Sequence, residues 1–152
     1  MKCKITGKKI DPFMSFGKMP IANGFLNKDK FNEEFFFEME VGFSDDLSLF
    51  QLNDHPEPKK MFHKSYPFYT GSSKFMVIHF EKYANWCKKI LKNPGKVIEL
   101  GSNDGTFLKN FRNTNFDCIG FEPSKNVSDV AIKNGIKSYN CFFSLKNIEQ
   151  IK

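Results

Sequence analysis

The run "KVIELGSNDGTFL", Lys96 to Leu108, decides how this chain is read. A short apolar segment (Val97, Ile98, Leu100) meets Gly101, a polar cluster, Gly105 and then residues compatible with a helix. A chain that leaves a strand and turns at once into a helix needs glycine, which lacks Cβ and tolerates positive φ. In nucleotide-binding β–loop–α units such glycines also let a ligand approach the backbone, and the helix start offers unpaired N–H groups. Gly101 is expected to make the turn and Gly105 to allow close approach where the helix begins. Asp104 would cap that helix or meet a ligand ammonium.

Downstream, the alternation continues. "FDCIGFE" reads as a second strand, "SKNVSDVAIKN" as a second helix ended by Gly135, and "IKSYNCFF" as a third strand. The stretch after Asp104 reads as the first helix, with Phe107, Leu108 and Phe111 inward. Strand, helix, strand, helix, strand implies a parallel sheet with right-handed crossovers. Glu122 falls 21 residues after Gly101, at the end of the second strand. A carboxylate there can accept both hydroxyls of a ribose, as in dinucleotide and adenosyl sites. Dinucleotide sites set a phosphate over the helix start, where Asp104 would be unwelcome, and Asn103 replaces the usual middle glycine. S-adenosylmethionine, with its cationic amino-acid end, suits "GSNDG" better.

Upstream the character differs. Residues 1–70 hold five of the seven prolines and short apolar runs broken by turn residues, which predicts an irregular β- and loop-rich lobe. Residues 72–92 predict a helix capped by Ser72 or Ser73, with Met76, Phe80, Tyr83, Cys87, Ile90 and Leu91 on one face, stopped by "NPG" at 93–95. The fold class is therefore α/β, with a lobe over 1–70 and the alternating segment over 71–152.

Composition narrows the functional classes. Forty per cent apolar content with 19 Phe predicts a folded chain. The net charge of +6 invites a nucleic-acid reading, but of 23 basic residues only Arg112 is arginine, the residue suited to bidentate phosphate and guanine contacts. No nucleic-acid partner is expected. No apolar run reaches the ~20 residues of a membrane span and no secretory leader is visible, which predicts a cytoplasmic protein without a membrane partner. Cys3, Cys87, Cys118 and Cys141 form no C-x-x-C pair, and His55, His63 and His79 share no ligand spacing. Cys118 and Cys141 read as small buried hydrophobes.

"FGKMPIANGFL" (16–26), "YPFYTGSS" (66–73), "HFEKYANW" (79–86), "VIELGSNDGTFL" (97–108) and "GFEPSKNV" (120–127) resemble, in order, segments of the S-adenosylmethionine-dependent C-methyltransferases of nucleotide-linked deoxysugars. The resemblance implies a small zinc-binding domain before a class I methyltransferase domain, here the first half (β-α-β-α-β) of a Rossmann-like sheet. It implies that Gly101, Asn103, Asp104 and Gly105 form the loop on the methionine side of the cofactor, with Glu122 on the ribose and Tyr66–Ser73 facing the active site. The same aromatics, Tyr66, Phe68 and Tyr69, also read as core residues.

Two departures shape the expectations. Thr6 stands where the partner of Cys3 would be, and Ser44 and Leu47 occupy the second cysteine pair, so no zinc is expected and the lobe would rest on Phe13, Phe16, Phe25, Phe35, Phe37, Phe43 and Phe50. Similar proteins are more than twice as long, so the chain reads as truncated, and the general base of such enzymes has no assigned counterpart. His63, His79 and Tyr66 are the visible stand-ins, and the catalytic residues stay unassigned. The chain would then be a cofactor-binding part that needs a complementary chain or self-associates through an exposed Val97–Leu100 edge. The alternative is a non-catalytic remnant or binding module.

Overall fold

A computed structural model describes residues 1–91 and 93–149, and the chain divides into two compact units, Met1–Met61 and Phe62–Lys152. In the first unit, strands β1 (Pro12–Pro20), β2 (Phe36–Ser44) and β3 (Leu49–Leu52) pair antiparallel in the order β1-β2-β3. The pairing of β1 slips between Pro12 and Met14 and between Ser15 and Lys18, where Gly17 takes φ +70°. A turn at Asp45–Leu47 joins β2 to β3, with Ser48 in the left-handed region, and a short helix α1 (Pro58–Met61) closes the unit.

The expected phenylalanine core is absent from this unit. Phe13, Phe16, Phe25 and Phe50 are each more than half exposed, and Phe35 and Phe43 are also exposed. Phe37 is half-buried. Each face of a single three-stranded layer needs a cover to become a core. The side chains that are buried here are few, and half of them are polar: Cys3, Val41, Pro56, Asn23, Ser44 and Gln51.

In the second unit, helix α2 (Lys74–Ile90) starts where Ser73 accepts the Met76 N–H at 3.4 Å. It buries a narrower stripe than expected, because Ala84 is fully buried and Phe80 and Cys87 pack on the core, whereas Met76, Tyr83, Ile90 and Leu91 stay exposed. Lys92, the end of the expected helix, lies outside the described residues. Strands β4 (Lys96–Leu100), β5 (Asp117–Phe121) and β6 (Ser138–Tyr139) are parallel in the order β4-β5-β6, with helix α3 (Lys125–Lys133) between the last two. A short helix α4 (Leu145–Glu149) follows β6. The core comprises Ala84, Phe107, Leu108, Phe111, Ala131 and Ile136.

Two elements are shorter than expected. The helix after Asp104 is a single 3-10 turn, Leu108–Phe111, although Phe107, Leu108 and Phe111 do point inward. Gly105, Thr106, Asn110 and Asn113 are weak helix formers, and the Asn110 amide bonds the carbonyls of Thr106 and Phe107, which a continuing helix would use. Strand β6 keeps only two residues of "IKSYNCFF" because the Asn140 amide turns back to the carbonyls of Glu122 and Pro123. Cys118 and Cys141 are half-buried, and the fully buried thiol is Cys3.

Candidate functional site

The C-terminal ends of β4 and β5 converge on one loop. Gly101 takes φ +72° as the chain leaves β4, its N–H and that of Ser102 donating to the Phe121 carbonyl. An added Cβ at Gly101 would meet nothing within 4 Å, so this glycine faces open space. Gly105, at φ +78°, is turned the other way. A Cβ there would come within 2.9 Å of Ile136 and 3.2 Å of Ala131, so its smallness serves packing of the loop against α3. Gly120 plays a similar part beneath the loop, where a side chain would collide with Ser102.

Asn103, at φ 48°, spends its amide on protein. Its Oδ1 accepts the Thr70 N–H (2.9 Å) and its Nδ2 donates to the Phe68 carbonyl (3.0 Å). Asp104 is buried, with Oδ2 accepting the Gly71 N–H (2.7 Å) and Oδ1 accepting both the N–H and the hydroxyl of Thr106. Asp104 does not cap the 3-10 segment, whose N-cap is Phe107 without a side-chain bond; it forms an Asx-type turn with Thr106 ahead of it. Glu122 is also buried, its Oε2 accepting the Asn103 N–H (3.0 Å) and its Oε1 the Ser124 N–H (2.7 Å).

These bonds tie the loop to residues 66–71. Asn126, on the first turn of α3, extends the tie: its amide accepts the Tyr66 N–H and donates to the Tyr66 carbonyl and the Tyr69 hydroxyl. Two asparagine side chains therefore hold the backbone of one aromatic strap. Beside the strap lies a cavity of about 380 Å³, lined by Phe62, Tyr66, Leu100, Gly101, Asn103, Phe121, Glu122, Phe142 and Phe143 among others. Its apolar walls and few polar groups are what a small-molecule site offers. Among the expected residues, Gly101, Asn103 and Glu122 reach this cavity, while Asp104 and Gly105 line another on the far side of the loop. Of the stand-ins for a base, Tyr66 lines the first cavity and His63 and His79 do not.

One residue of the site was missed. Glu99 is mostly buried on β4, its pKa raised from 4.5 to about 8 by desolvation first, then by the charges of Asp104 and Glu122. Its Oε2 is buried without a hydrogen-bond partner among the described residues. Three carboxyl groups thus crowd the end of β4, a setting that favours a cation. The signal was a carboxylate inside an otherwise apolar strand. Asn126 and Gly120 were missed too, although both sit in the quoted "GFEPSKNV".

Comparison with known proteins follows the same division. A family model described as "Methyltransferase domain" matches residues 75–151, half of the chain, and one described as "Putative zinc binding domain" matches residues 3–62. This chain belongs to the methyltransferase family. Among curated proteins, C-methyltransferase NovU of Streptomyces niveus is 28% identical over 141 residues. The alignment covers 91% of this chain and 33% of NovU, so the chain spans about a third of that relative's length. The resemblance to S-adenosylmethionine-dependent C-methyltransferases read from the sequence is thereby shown at the level of the family. Among the described residues no helix is long and apolar enough to cross a membrane.

Proposed function

We propose that residues 62–152 form the cofactor-binding part of a cytoplasmic C-methyltransferase acting on a nucleotide-linked deoxysugar, with S-adenosylmethionine as methyl donor. In this reading the sheet is the first half of a class I methyltransferase sheet. The observation that carries it is the acidic end of β4 and β5: Glu99 feels the charges of Asp104 and Glu122, and Glu122 lines an apolar cavity beside the open face of Gly101. An anionic dinucleotide phosphate would be repelled there, and a ligand with an ammonium and a sulfonium would be held. Glu122 would take the ribose hydroxyls with its free lone pairs, while its bonds to Asn103 and Ser124 keep the carboxylate in place. Gly101 would let the ligand lie against the backbone, and Asn103, Asp104 and Gly105 would set the shape of the loop.

When bound, the cofactor supplies an electrophilic methyl group on a sulfonium. Transfer to carbon next to a sugar carbonyl also needs a base to remove a proton. Of the residues considered for that role, Tyr66 is the one that reaches the cavity. No base is assigned among the described residues, and these residues alone are expected to bind the cofactor without transferring methyl. The match to a C-methyltransferase, NovU, supports the methyltransferase reading.

Calorimetry with S-adenosylhomocysteine and NAD tests the cofactor. Binding of the first but not the second is expected, and binding of NAD alone would refute the assignment. A non-catalytic module that keeps adenosyl affinity is the second reading, favoured by the lack of an assigned base. Methyl transfer after mixing with a candidate complementary chain would decide against it.

A further inference from the structure

The metal implied for the first unit can be tested against its side chains. A closed tetrahedral zinc site needs four ligands, commonly thiolates or imidazoles arranged as C-x₂₋₄-C pairs. The turn at the start of the chain keeps the shape of such a pair. Cys3 donates its N–H to the Lys8 carbonyl (2.8 Å), the Gly7 N–H returns to the Cys3 carbonyl (2.9 Å), and Gly7 takes φ +71°. Where a second thiolate would stand, the Thr6 N–H points at the Cys3 sulfur (3.5 Å). The turn after β2 repeats the spacing with Ser44, buried, and Leu47, exposed. Among the described residues no three His, Cys, Asp or Glu side chains gather to hold an ion. The donor set does not fit zinc.

Other contacts join the places a metal would have joined. Gln51, on β3, is buried, and its Oε1 accepts the Lys4 N–H at 2.9 Å. Its Nε2 is buried without a hydrogen-bond partner among the described residues. Lys4 Nζ reaches the Asn53 carbonyl (2.8 Å), and Lys8 Nζ meets Asp46 in the second turn at 2.6 Å. We propose that this unit is a metal-free descendant of a zinc fold in which the buried Gln51 amide bridges the first turn to β3 and takes the metal's structural place. The need for such a bridge is physical. A unit this small, with its phenylalanines exposed, has too little apolar core to hold two loops by burial alone.

The experiment uses the full chain, purified with and without zinc in the medium. Elemental analysis is expected to find no stoichiometric zinc, and thermal unfolding to be unchanged by EDTA. Gln51→Leu, which removes both polar ends at similar volume, should lower the melting temperature of this unit by about 5–10 °C. Should that variant fail to fold, Gln51→Glu gives a milder test: it keeps the acceptor for the Lys4 N–H and should show a smaller loss. The triple variant Thr6→Cys, Ser44→Cys, Leu47→Cys should acquire one zinc and sensitivity to EDTA, because the turns retain the geometry. One zinc per wild-type chain, an unchanged melting temperature in both Gln51 variants, or a triple variant that binds no zinc would each overturn the proposal.

Discussion

Replacing Glu99 by glutamine should change how the second unit responds to pH. With its pKa raised from 4.5 to about 8, Glu99 keeps its proton in the folded state across a range where the unfolded chain has lost it. Below pH ~4.5 both states are protonated and stability is full. Between about pH 4.5 and about pH 8 the unfolded chain releases a proton that the folded chain holds, so stability falls as pH rises. Above pH ~8 both states are ionised and the loss levels off. The gap from 4.5 to about 8, at about 1.4 kcal/mol for each tenfold, is worth about 5 kcal/mol as an upper bound. Water entry around the charged form reduces it, and about 2–4 kcal/mol is expected.

Urea unfolding followed by the fluorescence of Trp86, the sole tryptophan and a residue of α2, reads this unit directly. Wild type should lose stability between about pH 5 and about pH 8. Glu99→Gln cannot ionise and should be flat over that range, even if its starting stability is lower because the buried amide also lacks a partner. The groups that oppose Glu99 are Asp104 and Glu122, and both remain in the variant. A cationic ligand should reverse the repulsion, release the Glu99 proton and bind more tightly as pH approaches 8. Parallel pH profiles for wild type and variant would refute the reasoning.

Glu122→Ala should weaken binding of S-adenosylhomocysteine by about 1.5–3 kcal/mol, one to two decades, measured by calorimetry. Equal affinity would remove Glu122 from the ribose. Asn126→Ala removes three hydrogen bonds to the strap and should speed amide exchange at Tyr66–Thr70, with little effect on the first unit. Gly71→Ala would place a Cβ 2.9 Å from both the Asp104 carboxylate and the Thr106 hydroxyl; a loss of about 2 kcal/mol or more in urea unfolding is expected. Light scattering should find self-association relieved by Ile98→Lys, since β4 is an edge strand with Ile98 and Leu100 at least half exposed. A 17.6 kDa monomer in both proteins would show that the edge is already protected.

What was legible in the sequence was whatever the backbone must do alone. The strands at Lys96–Leu100 and Asp117–Phe121 and the turn at Gly101 follow from apolar runs and a residue that tolerates φ +72°. The first helix failed because its length depended on Asn110, whose side chain takes carbonyls that a helix would use. The phenylalanines of the first unit failed because an apolar residue is buried only if another layer covers it. Glu99 could be read as a charge in a strand, but its state depends on Asp104 and Glu122, brought beside it by two different turns.

The loop carries this contrast further. Asn103 and Asp104 looked like ligand contacts because polar residues between two glycines often are. The fold also engages their side chains with Thr70, Phe68, Gly71 and Thr106. Gly101 leaves its backbone open at the cavity that Asn103 and Glu122 also line. Glu99 is raised by desolvation first and then by the charges of Asp104 and Glu122, while Glu122 accepts the N–H groups of Asn103 and Ser124. Ionising Glu99 in that setting costs stability as pH rises toward 8, a cost that a nearby positive charge would offset. Ligand affinity and folding stability therefore draw on the same electrostatic strain, so relieving it with glutamine at Glu99 should stabilise the unit at pH 8 while weakening its hold on a cation.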